Sequence, residues 1–333
     1  MTSPTVSVNG ARGEEFRDDA RGVRALLPGA EIKRLSRLDA WRSSLAVAAT
    51  WGVIAAAVAA ALIWWSPWVV VPAILIIGSR QHALFVLAHE ATHYRLYRRR
   101  WLNDLVGAAC AAAAGLTMRT YRVIHRLHHN HLYGAEDPDI ALHGGYPRGR
   151  AYLVKKLLKD LAGFTWWKTY GYFFGNPAIN HDRDTALRPL DDTSPALRAA
   201  ARRDRVLVVA VQLALLIGAF AAGYGIQYLV LWVVPALTVL QASLRLRAVL
   251  EHGAVRDTTS PLTAARTNLA PWPLLWLLFP HHVNYHIEHH LYPAIPHYNL
   301  PETHRLLQAA GALDGAEVAP VRDSLGRIFA APA

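Results

Sequence analysis

The chain has 333 residues, of which 53% are hydrophobic, with eleven tryptophans and a formal net charge of +11. This composition favours a membrane protein over two soluble domains. The positive charge does not indicate nucleic-acid binding, because the basic residues border the apolar stretches, where they would meet lipid head groups. The single cysteine, Cys110, excludes an internal disulfide framework and cannot by itself hold an iron–sulfur cluster.

The N-terminal segment contains acidic residues and no apolar core, so it does not have the pattern of a signal peptide. We expect residues 1–40 to form a cytoplasmic arm. Four apolar segments follow, and each approaches or exceeds the length of about 20 residues that crosses a bilayer. They extend from about Ser43 to Trp65, from Trp68 to Glu90, from Val206 to Gly223 and from Gln227 to Leu244.

Short uncharged connections join the first apolar segment to the second and the third to the fourth, which predicts two helical hairpins. Two shorter apolar pieces, 102–118 and 270–280, are predicted to be re-entrant or interfacial helices. By the positive-inside rule, both termini, residues 89–204 and the part beyond residue 245 are cytoplasmic in a bacterial-type inner membrane. The basic residues that set this orientation are Arg24, Lys33, Arg34, Arg37, Arg42, Arg98, Arg99, Arg100, Lys155 and Lys156.

Many of the seventeen histidines form three clusters. The first cluster, HEATH, places His89 and His93 four residues apart, on one face of a helix. The second and third, HRLHH at 125–129 and HIEHH at 286–290, have histidines at i, i+3 and i+4. His252 closes the fourth apolar segment. Because all four regions are expected on the cytoplasmic side, one site can collect their imidazoles.

Eight or nine neutral imidazoles exceed the four ligands that one zinc ion takes, so two transition-metal ions are predicted, and iron suits O₂ chemistry. HEATH also resembles the HExxH motif of zinc proteases, with Glu90 as the general base. That alternative accounts for only His89 and His93. A histidine-rich metal transporter is a non-enzymatic alternative, but its ligands are expected near the bilayer midplane.

HEATH, HRLHH and HIEHH resemble the three histidine boxes of the membrane fatty acid desaturase and hydroxylase superfamily. The similarity extends through 89–139 and 250–304. The resemblance implies an all-α integral membrane fold, in which four transmembrane helices in two hairpins carry a cytoplasmic helical cap with the histidine boxes. It places this membrane domain at 41–310, followed by a C-terminal tail at 311–333.

The resemblance also implies an oxidoreductase that uses O₂ and two iron ions to desaturate an aliphatic substrate, most simply a fatty acyl chain in a lipid or thioester. A hydroxylase or ketolase of a lipid or terpenoid would carry the same boxes, as would a tailoring desaturase of an amino-acid-derived molecule. Electrons are expected from an external donor such as ferredoxin with its reductase, because the sequence has no recognisable redox domain.

Carried over to this chain, the resemblance implies nine iron ligands, of which His252 alone lies outside a box. Asp137, Asp139 and Glu288 are expected to orient imidazole N–H groups. Asn284 is expected either to bind a metal-bound water or to cap the helix of the third box. The implied ligands are His89, His93, His125, His128, His129, His252, His286, His289 and His290.

The remaining histidines are interpreted as structural, because a lone histidine near a membrane interface usually packs or reaches towards water. We expect packing or supporting roles close to the clusters for His131, His281, His282 and His297. We expect roles unconnected with the metal for His82, His143, His181 and His304.

Overall fold

The computed structural model describes residues 19–134, 136–178, 188–191 and 193–332, most of which are helical. His181 lies outside the described residues. Helix α1 (Gly29–Leu35) follows a helical turn at residues 19–25. Leu35 is buried together with Ile287 of the third histidine box and with Leu291, which follows the box, so the N-terminal arm is packed against the region that carries the site.

The first two apolar segments form helices α2 (Ala40–Ile63) and α3 (Pro67–Thr92). Asp39 caps α2, because its carboxylate accepts hydrogen bonds from the backbone N–H groups of Trp41 and Arg42. Pro67 suits the first position of α3, where its missing N–H removes no helical bond. From residue 77 onward α3 is almost fully buried, whereas α2 exposes much of its apolar surface. The central helix is therefore α3.

Helix α9 (Pro195–Ala221) and the segment 225–252 provide the other two long apolar segments. The segment 225–252 comprises α10 (Gly225–Tyr228), a π-helical turn at Leu229–Val233, α11 (Val234–Leu237) and α12 (Val239–His252). Pro235 cannot donate a backbone hydrogen bond, which accounts for the irregular turn before it. By length and composition, four helical segments of the described chain can cross a membrane, as predicted.

Among the described residues, five helices lie between α3 and α9. Gly107 brings α4 into close contact with its neighbours, since a Cβ at this position would lie 2.2 Å from the Ala91 Cβ and 2.6 Å from the Met118 sulfur. These three residues belong to α4, α3 and α5, so the two helices with the first two histidine boxes share one tight contact. The five helices are α4 (Arg100–Ala113), α5 (Met118–His131), α6 (Ile140–His143), α7 (Arg150–Leu161) and α8 (Trp166–Phe173).

The described chain is mostly helical, as predicted, and its C-terminal part adds one short sheet, in which β1 (Thr267–Leu269) and β2 (Val318–Pro320) form a two-stranded parallel ladder. Buried Glu317 accepts hydrogen bonds from Arg266 and Arg327, and this fixes the segment before β2. The region predicted as a tail thus contributes β2 and a helix. The helices of the C-terminal part are α13 (Trp272–Leu278), α14 (His286–Leu291), α15 (Leu300–Ala309) and α16 (Val321–Ile328).

Candidate metal centre

The last turn of α3 carries the first histidine box. His89 and His93 are 5.2 Å apart between ring centroids, as the four-residue spacing predicts. The carboxylate of Glu90 accepts a hydrogen bond of 2.8 Å from the backbone N–H of His297. This interaction engages Glu90 in holding the chain beyond the third box, a role that differs from that of a general base in a zinc protease.

The second box lies on α5, where helical rotation sends its histidines in two directions. His125 and His129 are one turn apart and lie beside His89 and His93. His128 is rotated by about 100° from His129, so it points towards a second group of imidazoles. Its Nε2 atom lies 3.3 Å from the Nε2 atom of His252.

The third box divides in the same way. On α14, His286 and His290 are one turn apart, with Nε2 atoms 3.1 Å from each other. His286 also lies 2.8 Å from His252, nitrogen to nitrogen. His289 faces the other direction, and its Nε2 atom is 3.1 Å from that of His129.

The nine predicted ligands therefore meet in two adjacent clusters, which the sequence did not resolve. Within each cluster the available nitrogen atoms all lie within 4.8 Å of one another. Every member except His93 and His129, which are partly exposed, is buried. The first cluster consists of His89, His93, His125, His129 and His289, and the second of His128, His252, His286 and His290.

The hydrogen bonding of the second cluster fits a bound cation. The Nδ1–H of His252 donates to the carbonyl of Ala264 at 3.1 Å, and the Nδ1–H of His128 donates to Asp137 at 3.0 Å. Both Nε2 atoms then carry lone pairs, because a neutral imidazole has one N–H. In the neutral rings these lone pairs would face each other at 3.3 Å, so a cation must lie between them, either a proton on His128 or a metal ion that displaces it.

The spacing of the nitrogens fits a transition-metal ion equally well. Two nitrogens that each bind one ion at about 2.1 Å, at a right angle, lie about 3 Å apart. In the first cluster the Nε2 atom of His129 is 2.9 Å from that of His125 and 3.1 Å from that of His289. The Nε2 atom of buried His89 has no hydrogen-bond partner and is free to bind a metal, while its Nδ1 atom lies 3.5 Å from the Glu90 carboxylate.

Protonation also favours metal binding in the first cluster. Burial and the neighbouring imidazoles lower the pKa of His125, His129 and His289 well below the usual value. Burial, Arg95 and Arg122 lower the pKa of His93 to about 3. These imidazoles are neutral at pH 7, which is the form that coordinates metals.

His128 differs because of the acidic segment that follows its helix. Burial alone would lower its pKa, but the Asp137 carboxylate, with a hydrogen bond of 3.0 Å, raises the pKa of His128 to about 9. Asp139 lies 3.6 Å from the same Nδ1 atom. A carboxylate on the distal nitrogen of a ligating histidine is the usual supporting contact, and both aspartates lie in that position beside His128.

The side chains of Glu288 and Asn284 have hydrogen-bond partners outside the two clusters. The Glu288 carboxylate accepts 2.6 Å hydrogen bonds from Thr267 Oγ1 and His304 Nδ1, whereas the expected partner was an imidazole of the boxes. The Asn284 side chain donates to the carbonyl of Asn268. The predicted cap is not formed, because α14 begins at His286 after Tyr285 and has no side-chain capping bond.

For two residues near the clusters, the sequence did not predict a supporting role. His143, expected to be a bystander, is buried with its Nε2 atom 3.4 Å from the Asp137 carboxylate. Glu251, for which no role was predicted, is buried with its carboxylate 3.7 Å from His286 and 3.1 Å from Arg247. The sequence does contain an indication of a role for Glu251, because this residue directly precedes His252 and lies one helical turn after Arg247.

The remaining described histidines contact groups outside the two clusters. His82 Nε2 lies 3.2 Å from Arg247 Nη1, and His131 pairs with Glu136 at 2.9 Å. His281 contacts Thr50, and its ring centroid lies 5.2 Å from that of His297. The rings of His282 and His297 are stacked at 6.5 Å.

A cavity of about 110 Å³ adjoins the first cluster. Tyr121 lines it and stacks on His125, with ring centroids 5.3 Å apart. The polar part of the wall includes Gln241, whose Oε1 atom is buried without a partner, and the cations of Arg245 and Lys168. The wall is therefore both aromatic and polar, and Tyr121 links it to the imidazole of His125.

Comparisons with known proteins agree with this site. The chain is 27% identical to dihydrorhizobitoxine desaturase of Bradyrhizobium elkanii over 82% of this chain and 78% of the relative. It is 26% identical to an sn-1 oleoyl-lipid 12-desaturase of Synechocystis sp. over 73% and 69% of the two chains. Its identity to a beta-carotene ketolase of Paracoccus sp. is 27% over 66% and 73%. Since the family profile named Fatty acid desaturase matches residues 64–321, the chain belongs to that family of oxidoreductases.

Proposed function

We propose that this protein is an O₂-dependent desaturase of an aliphatic substrate, with two iron ions held by nine histidines. The first ion would be bound by the five histidines of the first cluster and the second by the four of the second cluster. The observation that carries the proposal is the convergence of these nitrogens at spacings that suit coordination. The desaturases and the ketolase among its relatives support the class of reaction.

When bound, two iron ions supplied with O₂ and electrons provide an oxidant able to remove hydrogen from an unactivated C–H bond. The residues of this chain supply the conditions for that chemistry. Asp137 orients His128, and Glu90 fixes the backbone at His297. Tyr121 and Phe173, both buried, separate the first cluster from water and position the substrate carbon.

For the membrane arrangement we propose two hairpins, α2–α3 and α9 with segment 225–252, below a cytoplasmic helical cap. Both termini would face the cytoplasm of a bacterial inner membrane. Exposed Arg98, Arg99 and Arg100 immediately after the first box support this orientation. The same basic surface suits an acidic electron carrier such as ferredoxin, which we propose as the external donor.

The preferred substrate is a fatty acyl chain in a lipid or thioester, as for the oleoyl-lipid relative. The cavity beside His125 favours a second candidate, a small amino-acid-derived molecule, as for the dihydrorhizobitoxine relative. Its limited size and its polar groups suit a short substrate with a charged end. Gln241 Oε1 would accept a hydrogen bond from such a substrate.

The test combines the purified protein in lipid with ferredoxin, its reductase, NADPH, and a panel of acyl and small amino-acid substrates. Mass spectrometry should detect a product two hydrogens lighter under air and none under argon. Elemental analysis should give two irons per chain. His289→Ala should abolish turnover, whereas His131→Ala, which alters a histidine outside both clusters, should retain it.

Three results would contradict parts of this proposal. Stoichiometric zinc, with activity that survives iron chelation, would refute the di-iron centre. A hydroxylated or ketonic product would move the enzyme to the hydroxylase or ketolase alternative. Conversion of only the small amino-acid substrates would establish the second substrate candidate.

A further inference from the structure

Arg80 is a cation in a proposed membrane-spanning helix, and no described carboxylate neutralises its charge. It lies in the middle of α3, is only 5% exposed, and has no carboxylate partner at ion-pair distance among the described residues. Its Nη2 atom donates to Ser79 Oγ at 2.8 Å and to the carbonyl of Trp276. Its Nε–H is buried without a partner. A charged residue inside a membrane segment is costly, so such a site usually serves a function.

Arg80 lines a cavity of about 480 Å³ on the side of α3 that faces α2 and α13. The cavity is separate from the one beside His125, and its described lining contains no Asp or Glu. Apolar and aromatic side chains make up most of the wall, including Leu45, Val53 and Trp276. The guanidinium of Arg80 is stacked on the Trp276 ring at 4.1 Å, which holds the cation in place.

A second cation lies at the other end of the cavity. Exposed Arg42 donates to Asn299 Oδ1 and to the carbonyl of Tyr298, both at 3.0 Å, so its hydrogen-bond partners are uncharged. Arg42 precedes Thr50, another lining residue, by eight positions on α2, or about 12 Å along the helix. The cavity therefore extends from an exposed cation to a buried one along an apolar wall.

The backbone next to this cavity is also unusual. His281 and His282 both line it and both have left-handed φ values, 55° and 59°. Two consecutive non-glycine residues in this conformation are strained, and such strain concentrates at ligand sites. Burial and Arg80 lower the pKa of His281 to about 3, so this imidazole is neutral and offers a hydrogen bond without a charge.

We infer that the cavity binds an anionic amphiphile, with its phosphate or carboxylate group on Arg80 and an apolar chain along Leu45, Val53 and Trp276. The Arg80 cation selects an acidic head group, Arg42 attracts such a group to the exposed end of the cavity, and the absence of a carboxylate from the described lining removes the competing internal partner. The apolar wall selects an attached chain over a free anion. The site is independent of the proposed iron centre, since none of the nine histidines lines it.

Native mass spectrometry of the full chain in detergent can test this, with phosphatidylglycerol, phosphatidylcholine, oleate and inorganic phosphate as separate probes. We expect at least a tenfold preference for phosphatidylglycerol over phosphatidylcholine. Competition by oleate would indicate that a carboxylate also fits. Arg80→Gln should remove the preference and Arg80→Lys should retain part of it, while the control Arg322→Gln, at an 87% exposed side chain, should not change it.

A purely structural role for Arg80, as a clamp on the Trp276 carbonyl, predicts a different result. A folded Arg80→Gln protein with the original lipid preference would overturn the inference, as would equal binding of both phospholipids or binding of inorganic phosphate with the same affinity. If Arg80→Gln does not fold, the lipid preference of Ala49→Trp tests the inference instead. Ala49 is an exposed residue on the cavity wall, so the tryptophan should block the lipid and leave Arg80 in place.

Discussion

At the scale of single residues, Asp137 links the second histidine box to the loop that follows it. Its carboxylate accepts from His128 Nδ1 at 3.0 Å and from the backbone N–H groups of Tyr133 and Asp139. Asp137→Asn removes the charge that orients His128. We expect about a 10- to 100-fold loss of metal affinity, measured as iron retained against a chelator, because supporting contacts of ligating histidines have effects of this size.

The control for this change is Glu136→Gln. Glu136 is the preceding residue, is largely exposed and pairs only with His131 in the described structure, so its loss should leave iron retention unchanged. His143→Ala removes a partner of the same Asp137 carboxylate, so its iron retention should lie between those of Asp137→Asn and Glu136→Gln. Equal iron retention by Asp137→Asn and the unaltered protein would show that His128 does not depend on this carboxylate.

Eight of the nine histidines could be selected from the sequence because their spacing within the boxes places them on helix faces, and His252 because it closes the fourth apolar segment. The supporting residues could not all be selected in this way. His143 lies eighteen positions after His125 and outside any box, and only the fold of the loop brings it to Asp137. Glu288 is inside a box, yet the rotation of α14 directs its carboxylate to Thr267 and His304.

At the scale of helices, the contact of α4 with α3 and α5 positions two histidine boxes. Gly107→Ala would place a methyl group 2.2 Å from the Ala91 Cβ, between backbone segments that cannot easily separate. We expect a loss of stability of about 1–3 kcal/mol, as for other overpacked interiors. The shift should also reduce iron retention, because Ala91 lies between His89 and His93. Thermal unfolding in detergent and iron analysis measure the two effects.

Gly52→Ala is the matched control, since Gly52 lies within α2 and a Cβ there would have no neighbour within 4 Å. Alanine favours a helix over glycine by about 1 kcal/mol, so this variant should be neutral or slightly more stable. A Gly107→Ala protein as stable as the unaltered chain would contradict the tight packing of α4.

Hydropathy predicted the central part of each membrane segment but not every boundary. Helix α9 begins at Pro195, about eleven residues before the predicted apolar start, although its first turns include charged residues. Ser194 caps that end, and buried Asp204 pairs with Arg119 of α5 at 3.1 Å. The strands β1 and β2 have three residues each, too few for an alternating pattern to identify them.

At the scale of the whole molecule, four parts of the chain that are distant in sequence deliver imidazoles to one buried centre. The sequence predicted their convergence from the order of apolar segments and histidine boxes. It did not predict the division into five and four, because that division depends on how α5 and α14 are rotated about their axes. The second and third boxes each supply both clusters, whereas the first box supplies only the first cluster, and a one-dimensional pattern contains no information on that rotation.

The last prediction concerns the orientation of the molecule in the membrane. Cys110 is the sole cysteine and is buried, so Cys110→Ala provides a background for single exposed cysteines. In that background, Ser66→Cys and Ala222→Cys lie at the two short connections, and Thr258→Cys lies in the exposed loop after His252. Because basic residues concentrate on the side of the histidine boxes, an impermeant maleimide should label the first two in intact cells and Thr258→Cys only after lysis. Labelling of Thr258→Cys in intact cells would place the metal centre outside, where a cytoplasmic ferredoxin has no access.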